Sequence, residues 1–403
     1  MKMEKQPRIG VLLVGAYGSV STCALIGSIS QGLGLCDTTG MVTGLPMFDK
    51  LNLASPATFV WGGWDIRRTT LVAGAEELYS VTRSIRREIL DAVKPGLIAI
   101  EGRIRQGTSF GLSGLLERFP DAVLVEECAA AAVERLRKDI RDFVAAHSLD
   151  TVIVVNVAST EPLRVRHPAW ESLKAFAAAI ESDDHAALSP SMLYAYASLS
   201  EGCPFINFTP SPGTELPALR ELADAKGLPH TGRDGKTGET LLKTVLAPMF
   251  VARNFRMLSW EGYNMLGNRD GLILDDPGSK SAKTANKDAV LRNIVTDPAM
   301  HTRTRIDYVP SLDDWKVAWD YVHFEGFLGT RMTFSFMWQG CDSMLAAPLV
   351  LDLIRLMAHA RARGEKGVQK QLACFFKNPI DGTTMDFFQQ FSELLKHYGL
   401  ASR

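Results

Sequence analysis

The chain has 403 residues, more than one hydrophobic core usually serves, and 46% of them are hydrophobic, so a globular protein of two or three packed lobes is expected. It carries 44 Lys and Arg residues against 45 Asp and Glu residues, and this balance excludes the strongly basic surface that proteins use to bind nucleic acids or anionic membranes. A small-molecule ligand is therefore the better expectation for its function.

The cysteines, histidines and N-terminus favour an ordinary reducing compartment. Six cysteines lie far apart without a CxxC pair, and we expect reduced thiols. The first eight residues are a short polar lead and no apolar run approaches about 18 residues, so neither a signal sequence nor a membrane span is predicted. The cytoplasm is the expected location. The histidines lack the spacing of a zinc site, so no dedicated metal site is predicted.

The first predicted element is a buried strand at residues 8–15, RIGVLLVG, followed by a helix that begins in small residues. A strand, a glycine turn and a helix in this order are typical of the start of a dinucleotide-binding domain. The GxGxxG pattern is incomplete, and an ordinary strand-to-helix connection is the alternative. The candidate cofactor-binding residues of the turn are Gly15, Ala16, Tyr17, Gly18, Ser19 and Val20.

A second predicted strand, TFVWGGWDI at residues 58–66, carries Asp65 near its carboxyl end. At that place the carboxylate suits a hydrogen bond from a ribose hydroxyl of a bound dinucleotide. The alternative interpretation makes Asp65 the N-cap of a helix that begins after Ile66. Both functions use the same side-chain oxygens.

Further strands are predicted at residues 97–102 and 151–160, with a helix at 135–147, and this alternation favours a doubly wound parallel sheet. The strand at 151–160 would bring Ala158, Ser159 and Thr160 to the edge of the cofactor site. After the next predicted strand, at 203–208, Asn207 and Thr209 are secondary candidates. From about Leu241 the pattern changes to segments that alternate as antiparallel strands do, and an amphipathic helix is predicted at residues 347–364.

The segment from residue 232 to 287 is rich in Asp, Asn, Lys and Gly. Glycines let a ligand approach the backbone closely, and lysines bind phosphate or a developing oxyanion. A solvated loop of the same composition is the alternative. The apolar segments 241–255 and 289–295 on either side would hold these polar turns against a core, which favours a binding site for a phosphorylated, polyhydroxylated substrate.

Eight motifs in one order, spread over most of the chain, resemble the myo-inositol-1-phosphate synthase family. They are TFVWGGWDI, VIVVNVASTE, PFINFTPSPG, GRDGKTGETLLKTVLA, YNMLGNRDG, SKSAKTANKD, WKVAWD and CDSMLAAPLVLDL. The resemblance implies an NAD-dependent conversion of glucose 6-phosphate to inositol phosphate by oxidation at C5, enolisation at C6, aldol closure onto C1 and return of hydride.

The same resemblance implies an α/β fold, in which a Rossmann-like doubly wound parallel sheet is joined to an inserted α+β catalytic and tetramerisation domain of open-sheet type. The expected divisions are residues 7–240 for the NAD-binding domain, 241–344 for the catalytic and oligomerisation domain, and 345–403 for a segment that packs back on the first domain. A homotetramer is the expected assembly.

The resemblance also implies site residues. Asp234 matches the acidic partner of a catalytic lysine and a cofactor contact, and Thr237, Gly238 and Glu239 fall on the phosphate cradle. A carboxylate at Glu239 repels phosphate unless it turns away or pairs with a lysine. The remaining matches are Asn268, Asp270, Lys283, Lys287, Lys316 and Lys377, with Lys370 as a competitor for the last position.

The implied chemistry needs several cations because negative charge develops on different oxygens in turn. Lys283, paired with Asp234, would move the proton of the C5 hydroxyl, and Lys287 would hold the phosphate. Lys316 and Lys377 would serve the enolate and the aldol oxygen. Two other classes fit the same sequence: an NAD-dependent sugar-phosphate dehydrogenase, and a non-catalytic dinucleotide-binding paralogue.

Overall fold

The computed structural model describes residues 7–112, 116, 119–162, 164–268, 271–272 and 290–400. The strands in these ranges form two sheets. They are β1 (Ile9–Val14), β2 (Val60–Asp65), β3 (Ile104–Gln106), β4 (Thr151–Asn156), β5 (Phe205–Asn207), β6 (Pro229–Gly232), β7 (Arg256–Leu266), β8 (His301–Tyr308), β9 (Trp315–Glu325), β10 (Arg331–Cys341) and β11 (Gly367–Val368).

The α-helices of the described ranges lie on both faces of the first sheet and beside the second. They are α1 (Ser19–Gly32), α2 (Leu71–Thr82), α3 (Arg87–Glu101), α4 (Ala129–His147), α5 (Leu173–Glu181), α6 (Pro190–Ser200), α7 (Pro217–Ala225), α8 (Gly238–Ala252), α9 (Asp342–Ala362) and α10 (Phe387–His397).

The first sheet has the order β11-β6-β5-β4-β1-β2-β3, and every neighbouring pair in it is parallel. The chain moves outward from β1 to β3 and then returns to the other side of β1 with β4, so the order reverses between β1 and β4. This is the topology of a doubly wound Rossmann sheet, and it confirms the predicted fold class. Ligands bind such sheets at the carboxyl ends of the strands beside the reversal.

Strand β1 is buried on both faces, as its continuous apolar run predicts. Val11 and Leu13 pack in the core that contains α1 and α9, whereas Leu12 and Val14 pack in the opposite core with α4 and α6. Successive side chains of a strand point to opposite faces, so one uninterrupted apolar run serves two helical layers. The glycine turn that follows is thereby fixed at the centre of the sheet.

The predicted strand at residues 97–102 is wrong, because these residues complete helix α3. Leu90, Val93, Leu97 and Ile100 are buried and recur at intervals of three and four residues, which is the helical period. A short apolar run cannot be assigned to a strand without the residues before it. The third strand of the sheet begins three residues after the helix, at Ile104.

The second sheet has the order β10-β9-β7-β8 and is mixed. Strand β9 pairs antiparallel with β7 and β10, as the alternating pattern predicts, but β8 runs parallel to β7. Helix α8 packs on this sheet, with Phe250 against Trp260 and Phe324. The carboxyl end of β7 and the amino end of β9 face the cavity described below.

Helix α9 is a core helix rather than the amphipathic helix that the sequence predicts. Val350, Leu353 and Ile354 are buried in the same core as α1, and 67% of its most apolar 18-residue window is buried inside the protein. It is the one described helix with the length and hydropathy of a membrane span, and a buried core helix meets the same criteria. After it, β11 pairs with β6 at the edge of the first sheet. The boundaries 7–240, 241–344 and 345–403 stay a prediction.

Candidate active site

A cavity of about 450 Å³ opens at the carboxyl ends of β1, β2 and β4 and continues to the end of β7 and the start of β9. Its walls come from both sheets and from the amino ends of α1 and α9. Fourteen of the predicted site residues line it. They are Gly15, Tyr17, Gly18, Ser19, Val20, Asp65, Ala158, Ser159, Thr160, Asp234, Thr237, Asn268, Lys316 and Lys377.

The glycine turn presents the amino end of α1 to this cavity. Gly15 has φ +86°, and a Cβ at this position would lie 2.8 Å from the Cα of Ala158. Gly18 is the N-cap of α1 and makes no side-chain capping bond, so the first backbone N–H groups of the helix face the cavity without a side-chain acceptor. This arrangement suits the pyrophosphate of a dinucleotide. Ala16, by contrast, is fully buried beneath the turn and its N–H donates to the carbonyl of Trp64.

Asp65 ties the glycine turn to the end of β2. Its carboxylate accepts from the backbone N–H of Tyr17 at 2.7 Å and of Arg67 at 2.9 Å. Burial raises the pKa of Asp65, and the two N–H groups oppose that shift. The N-cap of α2 is Thr70, which accepts from the N–H of Ala73, so the alternative role of Asp65 as a helix cap is wrong. A contact from Asp65 to a ribose stays a prediction.

The residues after β4 and β5 complete the cofactor side of the cavity. Ala158 N–H donates to the side chain of Asn156 at 3.2 Å, which holds the 158–160 segment against the glycine turn. The buried amide of Asn207 donates to Ser211 and accepts from Thr209, so these two secondary candidates organise a loop. Thr209 lines the cavity, whereas Asn207 does not.

Asp234 and Lys377 form an ion pair in the cavity wall. The Nζ of Lys377 donates to Oδ1 of Asp234 at 2.8 Å, and the side chains are 14% and 8% exposed. The backbone also joins them, because Lys377 N–H donates to the carbonyl of Asp234 and Gly235 bridges Phe376. Asp234 therefore pairs, among the described residues, with a lysine 143 positions later in the chain.

The structure separates the two candidates for the C-terminal lysine. Lys377 lines the cavity, whereas Lys370 is 62% exposed, lies outside it and pairs with Asp381 at 3.6 Å. An exposed pair of this kind contributes little to binding or stability. The geometry favours Lys377.

The amino end of α8 lies beside this ion pair. Thr237 is the N-cap of α8, and its hydroxyl lies 3.4 Å from a carboxylate oxygen of Asp342. Gly238 follows with φ +54° and open space where a Cβ would be. The helix start presents backbone N–H groups, which suits a phosphate as the family motif implies.

Glu239 turns away from the main cavity. It is 1% exposed and pairs with Lys243 at 2.6 Å, while its other oxygen accepts from the amide of Asn264 at 2.7 Å. Lys243 in turn donates to the hydroxyl of Thr304 on β8. The anticipated repulsion between Glu239 and a phosphate is thus avoided, because the carboxylate both turns away from the main cavity and pairs with a lysine. This placement argues against a phosphate contact by the Glu239 side chain.

Lys316 faces the same cavity from β9. Its ammonium lies 3.9 Å from Asp342, and its side chain is 15% exposed. Asn268, two residues after the end of β7, donates to Asp314 at 2.9 Å. Asp314 is buried and also accepts from the Cys341 thiol and the Ser343 N–H, and burial raises its pKa.

Several polar residues of the cavity and of the loops that support it are not singled out by any sequence motif. Asp314 and Asp342 are two of them, and the DD and CDS strings they stand in carry no spacing signal that singles them out. Lys236 is a third: it is 2% exposed, its ammonium donates to Gln390 on α10 at 2.5 Å, and burial lowers its pKa to about 8. It stands between Asp234 and Thr237 and anchors their loop to the C-terminal segment.

Three predicted residues lie outside the described part of the chain. They are Asp270, Lys283 and Lys287. Of the described residues, Asn268, which precedes Asp270, lines the cavity, and Val290, which follows Lys287, is buried. The roles of the three residues stay predictions from the resemblance.

The fold and its site define a Rossmann-type enzyme with a dinucleotide-binding domain. Comparison with known proteins gives the family. A family model described as Myo-inositol-1-phosphate synthase, and named as an NAD-binding family, matches residues 9–398. The chain belongs to the myo-inositol-1-phosphate synthase family.

Individual relatives agree with this assignment. Inositol-3-phosphate synthase 1 of Bacteroides thetaiotaomicron is 34% identical over 94% of this chain and 92% of its own length. Inositol-3-phosphate synthase of Saccharomyces cerevisiae is 29% identical over 87% of this chain and 67% of its own length. The crystal structure of inositol-3-phosphate synthase from Caenorhabditis elegans superposes with a TM-score of 0.86 and 25% identity, covering 98% of this chain and 86% of the other.

Proposed function

We propose that the chain is an inositol-3-phosphate synthase that converts glucose 6-phosphate to 1D-myo-inositol 3-phosphate with NAD as its redox cofactor. The observation that carries the proposal is the placement of Lys377, Asp234 and Lys316 in one cavity with the glycine turn. Cations beside a dinucleotide site are what oxidation and enolisation of a sugar phosphate require. The family membership supports the same activity.

The residues of the cofactor side fit a dinucleotide. The amino end of α1 would bind the pyrophosphate, Asp65 the adenosine ribose, and residues 158–160 the nicotinamide half. A side chain at Gly15 would meet the backbone of Ala158, so only glycine lets the turn pack this closely against the 158–160 segment. NAD, when bound there, supplies hydride acceptance and return at one carbon of the sugar.

The substrate side supplies proton transfer and charge. Lys377, oriented by Asp234, would exchange a proton with a substrate hydroxyl and stabilise the oxygen that loses it. Lys316 would stabilise a second oxyanion from the opposite wall, and the start of α8 at Thr237 would receive the phosphate. Lys283 and Lys287 are assigned to this side by the resemblance, with Lys283 moving the C5 hydroxyl proton and Lys287 holding phosphate.

The experiment is an incubation of the purified protein with glucose 6-phosphate and substoichiometric NAD, followed by phosphorus NMR for inositol phosphate and by absorbance for NADH. Product in excess of NAD without accumulating NADH is the expected result. NADH that accumulates with an oxidised sugar would show a dehydrogenase instead. Binding of NAD without turnover would show a non-catalytic paralogue.

We further propose a homotetramer assembled through the second sheet. Strand β10 is an edge strand, since its described partner is β9, and it exposes Met332, Phe334 and Met337, the last with 70% of its surface exposed. Long apolar edge strands are normally covered in the native state. Light scattering should give four times the chain mass of 44.2 kDa, and a monomer at working concentration would contradict the assembly.

A further inference from the structure

The main cavity continues past Asp65 into an apolar recess. The recess lies between the end of β2, helix α2 and the described residues 112, 116 and 119, and its apolar lining suits a flat aromatic ring. The lining residues are Ile66, Leu78, Val81, Leu112, Leu116 and Phe119. If Asp65 binds the ribose, as proposed above, this recess holds the adenine and the ribose 2′ position lies at its mouth.

Arg67 stands at that mouth and lines the cavity, and each of its three guanidinium nitrogens has a partner. Nε donates to Asp121 at 2.9 Å, Nη1 donates to the carbonyl of Tyr17 at 3.0 Å, and Nη2 lies 3.6 Å from Glu77. The Arg67 side chain is 16% exposed. Its charge is thus shared by the carboxylates of Asp121 and Glu77, and it also opposes the burial that raises the pKa of Asp65.

Asp121 is itself held by backbone pairing. Arg68 N–H donates to the carbonyl of Asp121 at 2.7 Å, and Val123 N–H donates to the carbonyl of Ile66 at 2.6 Å. An antiparallel bridge joins Arg67 and Ala122 between them. The segment at 121–123 therefore lies along residues 66–68 as a short ladder, which fixes the Asp121 carboxylate against the guanidinium.

We propose that the ion pair between Arg67 and Asp121 selects NAD over NADP. NADP carries a phosphate on the 2′ oxygen, and an arginine next to the strand-end position is the usual way to bind it. Here Nε of that arginine is held by Asp121 and Nη2 lies beside Glu77, so these groups face carboxylates rather than a 2′ phosphate. A phosphate at that place would meet the negative charges of Asp65 and Glu77, while the guanidinium charge is largely balanced by its present partners. Asp121 is a specificity-determining residue that acts through Arg67. The proposal rests on the cofactor assignment made above.

Calorimetric titration of the full-length protein with NAD and with NADP tests it without any turnover. Wild type should bind NAD more tightly than NADP. Asp121→Asn should shift the ratio of the two dissociation constants toward NADP by about tenfold, as one recovered hydrogen bond to a charged group provides. Arg67→Gln combined with Asp121→Asn should abolish that gain, because the cation is then absent.

Asp381→Asn is the control, since it removes a carboxylate from a part-buried pair with Arg220, at 2.8 Å and outside the cavity, with side chains 33% and 32% exposed. It should leave the ratio unchanged. If circular dichroism shows that Asp121→Asn does not fold, Glu77→Gln tests the proposal in its place. Because Glu77 is 57% exposed on α2, this variant should shift the ratio of dissociation constants toward NADP by a smaller factor, about twofold.

The outcomes are distinct. A ratio unchanged by Asp121→Asn in a folded protein that still binds NAD overturns the proposal alone. A gain that persists without Arg67 also overturns it, because relief of repulsion would then explain the shift. A wild-type protein that binds neither dinucleotide overturns the cofactor assignment, and this inference with it.

Discussion

Glu239 and Lys243 offer a sharp test of whether Glu239 serves the structure or the substrate. The two side chains are each 1% exposed and lie 2.6 Å apart on successive turns of α8. Glu239→Gln keeps the shape and an acceptor for Asn264 but removes the charge that faces Lys243. Lys243→Met keeps the length of the side chain and removes the cation.

The expected magnitudes follow from burial. Removing one partner of a buried ion pair costs about 3–5 kcal/mol, because the other charge stays in a low-dielectric environment. Lys243→Met should be the costlier change, because the carboxylates of Glu239 and Asp320 both lie near this one lysine. All three groups surround Gly262: a Cβ there would lie 2.3 Å from Glu239 Oε1 and 3.1 Å from both Asp320 Oδ1 and Lys243 Nζ. We expect the double variant to cost at least about 2 kcal/mol less than the sum of the single ones.

Urea unfolding of the wild type, both single variants and the double variant measures this coupling. Asp142→Asn is the control, because it breaks an i,i+4 pair with Lys138 in which the side chains are 57% and 67% exposed, and it should leave the free energy of unfolding close to that of wild type. Single variants that each cost less than about 1 kcal/mol would refute the reasoning. So would a Glu239→Gln protein of normal stability with a raised KM for glucose 6-phosphate, since that result would restore Glu239 to the phosphate site.

Three further outcomes are expected. Gly15→Ala should weaken NAD binding about tenfold by calorimetry, because φ is +86° there and the new Cβ would meet Ala158, and unchanged affinity would contradict the tight turn. Lys377→Ala should lower the turnover of glucose 6-phosphate about 100- to 1000-fold, whereas Lys370→Ala should stay within about twofold of wild type. Burial lowers the pKa of Lys236 to about 8, so above pH 8 the unfolded chain binds more protons than the folded one, and stability should rise with pH. Urea unfolding should show that the free energy of unfolding increases by ~2 kcal/mol between pH 8 and 10, and Lys236→Met should lack this increase.

The first sheet was largely predictable from the sequence because two of its central strands are continuous apolar runs. The apolar run of β1 ends in Gly15, and the run of β4 ends in Asn156, each at the point where the buried strand stops. Parallel strands buried on both faces need such runs, so the doubly wound order follows from alternation with helices. Residues 97–102 show the limit, since an apolar stretch of that length fits a helix end equally well.

The site was predictable in residue type and less so in partnership. The motifs point to Asp234 and to Lys316, and the structure brings both to the cavity. They do not show that Lys377 lies 2.8 Å from Asp234, because the approach depends on packing between segments 143 positions apart. The sequence motif places Glu239 in the phosphate cradle. In the structure Glu239 instead pairs with Lys243, one helical turn later.

Lys236 and Arg67 were missed for a related reason. A lysine or arginine in a polar loop is usually exposed, and sequence patterns do not distinguish the buried minority. The partner of Lys236 is Gln390, 154 positions downstream, and the partner of Arg67 is Asp121, 54 positions downstream. Long-range pairing of this kind is set by the tertiary fold.

The pairing of Asp234 with Lys377 has a consequence for the newly made chain. A ribosome adds about 5–20 residues per second, so about 7–30 s pass between the synthesis of Asp234 and that of the lysine 143 positions later. For most of this interval the first six strands of the large sheet have been synthesised, while β11 and Lys377 have not. The nascent protein therefore exposes a sheet edge at β6 and a loop without its cation. We expect the molecule to act on a substrate only after Lys377 has been synthesised and has paired with Asp234.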